Sequence, residues 1–137
     1  MAAENHDRFA LQLGIYAKAL GRLKEMLERN EDDAVRDSVI LRFVFTFEMA
    51  WKATFYFLAM RGERLEKNAW AVLNEAFTAQ LIDDAGLWDK LREYRNVIGH
   101  EYDEHQAVEI AAFVRRQGLA LFEHLYATLL AELKRRP

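Results

Sequence analysis

Apolar residues along the chain recur at intervals of three and four, which is the spacing of one face of an α-helix. The first run covers about residues 5–29, and its apolar positions are Phe9, Leu13, Tyr16, Leu20, Leu23 and Leu27. Polar residues 30–33 follow as a turn, in which Asp33 is a candidate cap for the next helix. The pattern therefore predicts a long first helix with one buried face.

The second predicted helix, about residues 34–61, carries two adjacent apolar stripes. One stripe is Val39, Phe43, Thr46, Ala50, Ala53, Phe57 and Met60, and the other is Ile40, Val44, Phe47, Trp51, Thr54 and Leu58. Two stripes cover most of the circumference, so we expect burial on two sides, one against the chain's own bundle and one facing a second copy. Arg42 and Glu48 lie among these apolar residues, and we expect both charges to be paired or to line a cleft.

Three further amphipathic patterns complete the chain. A short helix over about residues 67–79 is predicted to direct Trp70, Leu73 and Phe77 inward. The next helix begins after Asp83 or Asp84 and ends at Gly99, and its inward positions are Leu87, Leu91, Tyr94 and Ile98. Asp103, with Gln106 three residues later, matches a capping box that opens the last helix. The inner face of that helix is predicted to be Val108, Ala111, Leu119, Phe122, Tyr126, Leu129 and Leu133. The whole pattern predicts an all-α fold, an antiparallel four-helix bundle with a short additional helix.

Composition narrows the class of protein. The chain has 137 residues, which predicts one domain over 1–137, and 52% of them are apolar. It has no cysteine, so disulfides, thiolate zinc sites and a cysteine nucleophile are excluded. The net charge is -3, so binding of a nucleic acid would need a local basic site. Since we find no signal-peptide pattern and no uninterrupted apolar span, we expect a cytoplasmic protein without a membrane partner.

The segment from Tyr94 to Asp103 is the part of the chain that packing does not explain. It places Arg95, Asn96, His100 and Tyr102 around a helix break. On an unbroken helix, residues five apart are separated by about 140°. Gly99 offers an exit from helical geometry, so the chain can turn His100 back towards Arg95. We therefore predict a helix end that presents a guanidinium, an amide and an imidazole together.

These residues resemble the active-site motif of HEPN-domain ribonucleases, which is arginine, a polar residue, three more, histidine, any residue and tyrosine. The likeness is strongest to the HepT toxins of MntA–HepT systems. Residues 36–40 and 42–52 resemble the second helix of nucleotidyltransferase substrate-binding proteins, and residues 75–77, 81–84 and 102–104 resemble the same family. The resemblance covers most of the chain.

The resemblance implies a metal-independent ribonuclease, the toxin of a type VII toxin–antitoxin pair, that needs no cofactor. Arg95, Asn96 and His100 are then the catalytic residues. An imidazole can take the proton of a ribose 2′-hydroxyl and return one to the leaving oxygen. A guanidinium can pair with the scissile phosphate, and the amide can orient either group. The expected products are a 2′,3′-cyclic phosphate and a 5′-hydroxyl. The spacing offers no metal site, because His100 and His105 are not one helical turn apart.

The resemblance also implies partners. Two copies would line one cleft as a homodimer, and candidate RNA-binding cations flank the motif at Lys90, Arg92, Arg115 and Arg116. An MntA-like nucleotidyltransferase antitoxin would transfer AMP from ATP to Tyr102. The attached nucleotide would place a negative phosphate and a bulky base beside the histidine, and so exclude RNA.

Simpler interpretations stay open at this point. Arg95 could form a surface ion pair with Glu93, Asp89 or Glu101, and His100 could pair with the last carbonyls of its helix. Tyr102 could be a packing residue with its hydroxyl at the surface. For the whole chain, one alternative is a non-catalytic subunit that binds a substrate or nucleotide for a two-component nucleotidyltransferase. Another is a degenerate family member that acts only as a dimeric interaction module.

Overall fold

The computed structural model describes residues 2–136; Met1 and Pro137, the ends of the predicted domain, lie outside these residues. The helices are α1 (Ala2–Leu27), α2 (Asp33–Met60), α3 (Ala69–Thr78), α4 (Ala85–Ile98), α5 (Glu104–Phe113) and α6 (Leu119–Lys134). A π-helical turn, Val114–Gly118, joins α5 to α6 without a break, so these two form one rod. The predicted all-α bundle with a short additional helix is confirmed. None of the helices within residues 2–136 is long and apolar enough to cross a membrane.

The first two helices form an antiparallel pair around the core. The predicted face of α1 is buried at Phe9, Leu13, Tyr16, Leu20 and Leu23. The hydroxyl of Tyr16 donates a hydrogen bond of 2.6 Å to the main-chain carbonyl of Phe122, which ties α1 to α6. Burial raises the pKa of the Tyr16 phenol well above its ordinary value.

Helix α2 is the centre of the bundle, and this chain's own helices contact both of its apolar stripes. The stripe that we expected to face a second copy is therefore already covered, because α2 packs against α1, α3, α4, α5 and α6. The large apolar residues that α2 leaves exposed are Leu41 and Phe45, which belong to neither stripe. The cap of α2 also differs from the prediction. Asp32, in extended backbone conformation, accepts the Val35 N–H at 2.8 Å, while Asp33 is already helical.

Three residues predicted to point inward are exposed instead. Helix α3 buries Val72, Leu73 and Ala76, and this leaves Trp70 62% and Phe77 47% exposed. In so short a helix several faces carry apolar residues, and the face with the small alanine is the one that packs. Val108 is 42% exposed for a related reason. Helix α5 buries its alanine-containing side, which consists of Ala107, Ile110 and Ala111.

The predicted helix starts near the motif are confirmed. Asp84 caps α4 by accepting the Leu87 N–H at 3.0 Å. Asp103 and Gln106 form the complete capping box of α5, because each side chain accepts from the main chain of the other. Asp103 thus fixes the end of the segment from Tyr94 to Asp103, and Asp84 fixes the start of the helix from which that segment emerges.

Candidate functional site

Helix α4 ends at Gly99, which lies in the right-handed region at φ -67° and ψ -10°. The Gly99 N–H donates to the Arg95 carbonyl and the His100 N–H donates to the Val97 carbonyl, both at 3.1 Å. The chain thus leaves the helix through a tightened last turn and not through a left-handed glycine. A β-carbon at this position would lie 3.2 Å from Nη1 of Arg95, so the tip of the arginine side chain would have to shift by a few tenths of an ångström. The arginine side chain therefore reaches over the end of its own helix.

An ion pair with α2 sets the direction of Arg95. Its Nε donates a hydrogen bond of 2.6 Å to Oε1 of Glu48, and the indole N–H of Trp51 donates one of 3.1 Å to Oε2 of the same carboxylate. The side chains of Arg95 and Glu48 are 35% and 22% exposed, so the pair is half-buried. Its partner is thus on another helix, and not the nearby Glu93, Asp89 or Glu101 of the simpler interpretation. Within residues 2–136 neither Nη atom of Arg95 makes a hydrogen bond, so both can take a ligand.

The two charges of α2 have different surroundings. Glu48 is paired, as we expected. Arg42 is not paired in the way we expected, because its Nε is buried without a hydrogen-bond partner among the described residues. It lines a small apolar depression with Arg22, Leu41 and Phe45. The cleft with Arg95 therefore depends on Glu48 and not on Arg42.

The motif residues line two depressions, one on each side of the Gly99 turn. Arg95 and the exposed Asn96 line a cavity of about 310 Å³ that also contains Glu48. His100 and Tyr102 line a separate, open depression. Within one chain the structure thus brings arginine together with asparagine and histidine together with tyrosine.

Tyr102 directly precedes Asp103, the N-cap of α5. It is 38% exposed, and the capping box fixes the main chain of the next residue, Asp103. On its other side Tyr102 borders a depression at the start of α2, where Arg36 forms ion pairs with Asp33 and Glu104 at 3.1 and 3.7 Å. A phenol held in this way is accessible to a second protein from outside the bundle.

Two of the flanking cations lie on α4. Lys90 lies over the rings of Tyr94 and Phe113, with its Nζ 5.7 and 5.4 Å from their centroids, and it does not line the cavities of the motif residues. Arg92 pairs with Asp89 at 3.0 Å and lines the same cavity as Arg95. Arg92 is therefore the flanking cation that the fold brings to the motif arginine.

The other two cations are tied to different parts of the molecule. Arg115 donates a hydrogen bond of 2.6 Å to the Leu27 carbonyl and pairs with Glu31 at 3.4 Å, which attaches it to the α1–α2 turn. Arg116 donates to the Ala112 carbonyl of its own rod. Neither lines the cavities that contain the motif residues.

Sequence reasoning missed two residues of this site. Trp51, predicted as packing, also orients Glu48, and Trp70, predicted to be buried, lines the cavity of Arg95. The signal for Glu48 was a carboxylate within an apolar stripe, but no local pattern names a partner 47 residues away. Within residues 2–136 no three His, Asp or Glu side chains are arranged to hold a metal ion.

Comparison with known proteins gives a family and a fold. A family model described as "nucleotidyltransferase substrate binding protein like" matches residues 11–131. A crystal structure of a protein from Thermus thermophilus is 30% identical, with a TM-score of 0.71, and the match covers 88% of this chain and 99% of that one. No curated protein matches the sequence.

Two more distant solved structures share the fold. A mutant MntA–HepT toxin–antitoxin complex matches with 17% identity and a TM-score of 0.74, over 91% of this chain and 98% of that one. The tri-AMPylated HEPN toxin of Shewanella oneidensis in complex with the MNT antitoxin matches with 17% identity and a TM-score of 0.73, over 90% and 96%. At 17% identity, these two matches show a shared fold.

Proposed function

Since the chain belongs to the family of nucleotidyltransferase substrate-binding-like proteins and has the fold of HepT-type toxins, we propose that it is a toxin that cleaves RNA without a metal. The observation that carries the proposal is the end of α4, where Glu48 orients Arg95 and leaves its Nη atoms available, and where His100 follows on an exposed turn. We assign the catalytic roles to Arg95, Asn96 and His100. We also propose that the protein is cytoplasmic and that the chain acts as one domain.

The proposed reaction is a transesterification within the RNA strand. His100 takes the proton of a ribose 2′-hydroxyl, and the 2′-oxygen attacks the adjacent phosphorus. The bond from phosphorus to the 5′-oxygen breaks, and that oxygen receives a proton, which leaves a 2′,3′-cyclic phosphate and a 5′-hydroxyl. The Nη atoms of Arg95 pair with the non-bridging oxygens as negative charge develops on them. Asn96 orients the phosphate.

A homodimer would complete the active site. In one chain Arg95 and His100 line different depressions, so a single copy does not enclose a phosphate between them. We propose that two copies place the ends of α4 at a shared cleft, as the resemblance to HEPN ribonucleases implies. There the four depressions would adjoin, and the arginines of both copies would raise the local positive charge.

We also propose that a partner nucleotidyltransferase neutralises the toxin through Tyr102. A structurally similar HEPN toxin is tri-AMPylated in its complex with an MNT antitoxin. Here the exposed Tyr102 shares a depression with His100. Its phenol oxygen would attack the α-phosphorus of ATP, lose its proton to a base of the partner and displace pyrophosphate. The attached AMP would occupy the depression and repel an RNA phosphate.

Cleavage of RNA by the purified chain tests the nuclease proposal. Wild type should produce 2′,3′-cyclic phosphate ends in the presence of a chelator, and His100→Ala should abolish cleavage without changing the unfolding curve. RNA that stays intact with a folded, dimeric wild type would end this proposal. The modification is tested by intact mass after incubation with the partner and ATP, and an equal gain in Tyr102→Phe would contradict the role of Tyr102.

The second candidate function is a non-catalytic subunit that binds the substrate or nucleotide of a two-component nucleotidyltransferase. Glu48 favours it, because this carboxylate offsets part of the positive charge that Arg95 would otherwise offer to the transition state of RNA cleavage. In that case the chain would bind a nucleotide and leave RNA intact. Nucleotide binding together with RNA cleavage that His100→Ala abolishes would favour the nuclease.

A further inference from the structure

Trp70 is an exposed tryptophan in a chain whose other two tryptophans are buried. It lies in the first turn of α3 and is 62% exposed, while Trp51 and Trp88 belong to the core. Single exposed apolar side chains are common in folded proteins, but tryptophan is enriched at binding interfaces because its ring is apolar and its N–H donates a hydrogen bond. The surroundings of the ring therefore indicate what it binds.

Trp70 separates two cavities on the same side of the bundle. One, of about 350 Å³, lies between α3 and the start of α4 and includes Asn74 and Asp89. The other, of about 310 Å³, contains Arg95 and Asn96. Trp70 and Arg92 line both, so the two cavities form one groove. We call it the α3–α4 groove and define it by the residues Lys67, Trp70, Asn74, Arg92, Arg95 and Asn96.

The charges of the α3–α4 groove suit a phosphate at the end near Arg95. Each of its two arginines already has one carboxylate partner, which holds the guanidinium in place: Glu48 for Arg95 and Asp89 for Arg92. Lys67 also lines the cavity of Arg95, but its Nζ lies over the rings of Phe55 and Tyr56 and donates to the Tyr56 hydroxyl at 2.8 Å. Both guanidiniums keep donor atoms that their carboxylates do not use, and these donors can pair with a phosphate.

The remaining groups suit a planar, polar ring. The indole of Trp70 offers a flat face, and the exposed amides of Asn74 and Asn96 make no side-chain hydrogen bond within residues 2–136. Nucleobases stack on aromatic side chains, and amides can pair with their polar edges. A ring face, two amides and a cation end together match a nucleobase with its phosphate.

We propose that the α3–α4 groove is a nucleobase subsite, in which a base stacks on Trp70 and its phosphate contacts Arg92 and Arg95. The molecule that supplies the base is assigned from the proposed function: the base belongs to single-stranded RNA and lies next to the scissile phosphate. A free nucleotide offers the same base and phosphate, and the experiment below distinguishes it from RNA. Because stacking tolerates every base, the subsite would hold the strand with little preference for sequence.

Intrinsic fluorescence tests the proposal, because Trp70 is the accessible indole. The probe is a single-stranded RNA of about ten nucleotides with 2′-O-methyl riboses, which cannot be cleaved. We expect the oligonucleotide to quench the emission of wild type and to quench Trp70→Phe much less, because Trp51 and Trp88, which also border the groove, are buried. Anisotropy of a labelled oligonucleotide then gives the affinity of each variant.

Affinities of matched variants separate stacking from other losses. Trp70→Ala should bind the oligonucleotide about tenfold more weakly, and Trp70→Phe should stay within about threefold of wild type. The control is Phe77→Ala, which removes an exposed ring of the same helix that lines neither cavity. It should bind as wild type does. Equal affinity of Trp70→Ala and wild type, or an equal loss in the control, would overturn the proposal.

Further measurements keep this proposal distinct from the nuclease function. The control Phe77→Ala should both bind the oligonucleotide and cleave RNA like wild type, because this ring lines neither cavity. If wild type cleaves RNA and Trp70→Ala binds it equally well, the subsite is wrong while the nuclease stands. If AMP quenches Trp70 and RNA does not, the subsite stands with a nucleotide as its ligand, and the cleavage assay decides the nuclease proposal separately. Quenching by neither ligand refutes the subsite.

Discussion

The ion pair between Glu48 and Arg95 can be tested by replacing one oxygen of the carboxylate with an amide nitrogen. In wild type, Glu48 accepts from Arg95 Nε at 2.6 Å and from Trp51 Nε1 at 3.1 Å. Glutamine has the same shape but one acceptor oxygen, so in Glu48→Gln one of the two donors must face an N–H₂ group. The fold can keep either hydrogen bond but not both.

The expected loss of stability follows from the exposure of the pair. Hydrogen bonds to charged groups contribute about 1.5–3 kcal/mol. Because Arg95 is 35% and Glu48 22% exposed, solvent can compensate part of the loss. We therefore expect Glu48→Gln to lower the free energy of unfolding in urea by about 1–2 kcal/mol. A matched control is Glu123→Gln, which removes an exposed ion pair with Lys24 at 3.7 Å and should cost less than about 0.5 kcal/mol.

We also expect Glu48→Gln to lose activity. Without the carboxylate the guanidinium of Arg95 is no longer held in one direction, and a displacement of about 1 Å can cost about 100-fold in rate. We expect Glu48→Gln to cleave RNA about 10- to 100-fold more slowly at a temperature where it is fully folded. The control Glu123→Gln should cleave at the wild-type rate. Wild-type cleavage by a folded Glu48→Gln would show that the ion pair does not position the arginine.

Three other substitutions test separate parts of the structure. Gly99→Ala places a β-carbon 3.2 Å from Nη1 of Arg95, in a right-handed backbone that alanine accepts. We expect RNA cleavage to fall at least about tenfold, while the free energy of unfolding changes by less than about 0.5 kcal/mol. Unchanged cleavage would contradict this. Tyr16→Phe removes a buried hydroxyl that donates at 2.6 Å, and urea unfolding should show a loss of about 1 kcal/mol, whereas no loss would mean that the bond adds nothing. Burial raises the pKa of Glu63, as does the neighbouring Glu75, so the protonated carboxyl stabilises the fold at low pH and this contribution is lost as the pH rises through the raised pKa. Thermal unfolding should show Glu63→Gln as more stable than wild type at neutral pH, and this gain should vanish below the ordinary pKa of glutamate; a gain that is the same at both pH values would refute the assignment.

The helices and most of their ends could be predicted because local sequence determines them, although α2 is capped by Asp32 and not by Asp33. Asp84 and Asp103 cap the helices that the sequence assigned to them, since an N-cap needs only its own side chain and the next three residues. The long face of α1 was correct because six apolar positions define one direction. Trp70 was wrong because α3 has too few turns to define its buried side by pattern alone.

The site could be predicted in its residue types and less well in its arrangement. The motif from Arg95 to Tyr102 is contiguous, so its presence at the end of α4 follows from the helix boundaries. The carboxylate that orients Arg95 comes from a contact between two helices distant in sequence. Spacing along one helix cannot reveal such a contact, and neither can it show that the Gly99 turn directs arginine and histidine into different depressions.

The π-helical turn at Val114–Gly118 is the place where the rod formed by α5 and α6 can lose one residue. A π turn holds one more residue than an α turn, so α5 and α6 each keep the rotational phase that suits their own neighbours. Deletion of the exposed Gln117 would restore a regular helix there and leave both buried faces in place. The same deletion inside α6 would rotate every later residue by about 100° and expose the core. Relatives that differ by one residue in this rod should carry the gap at this turn.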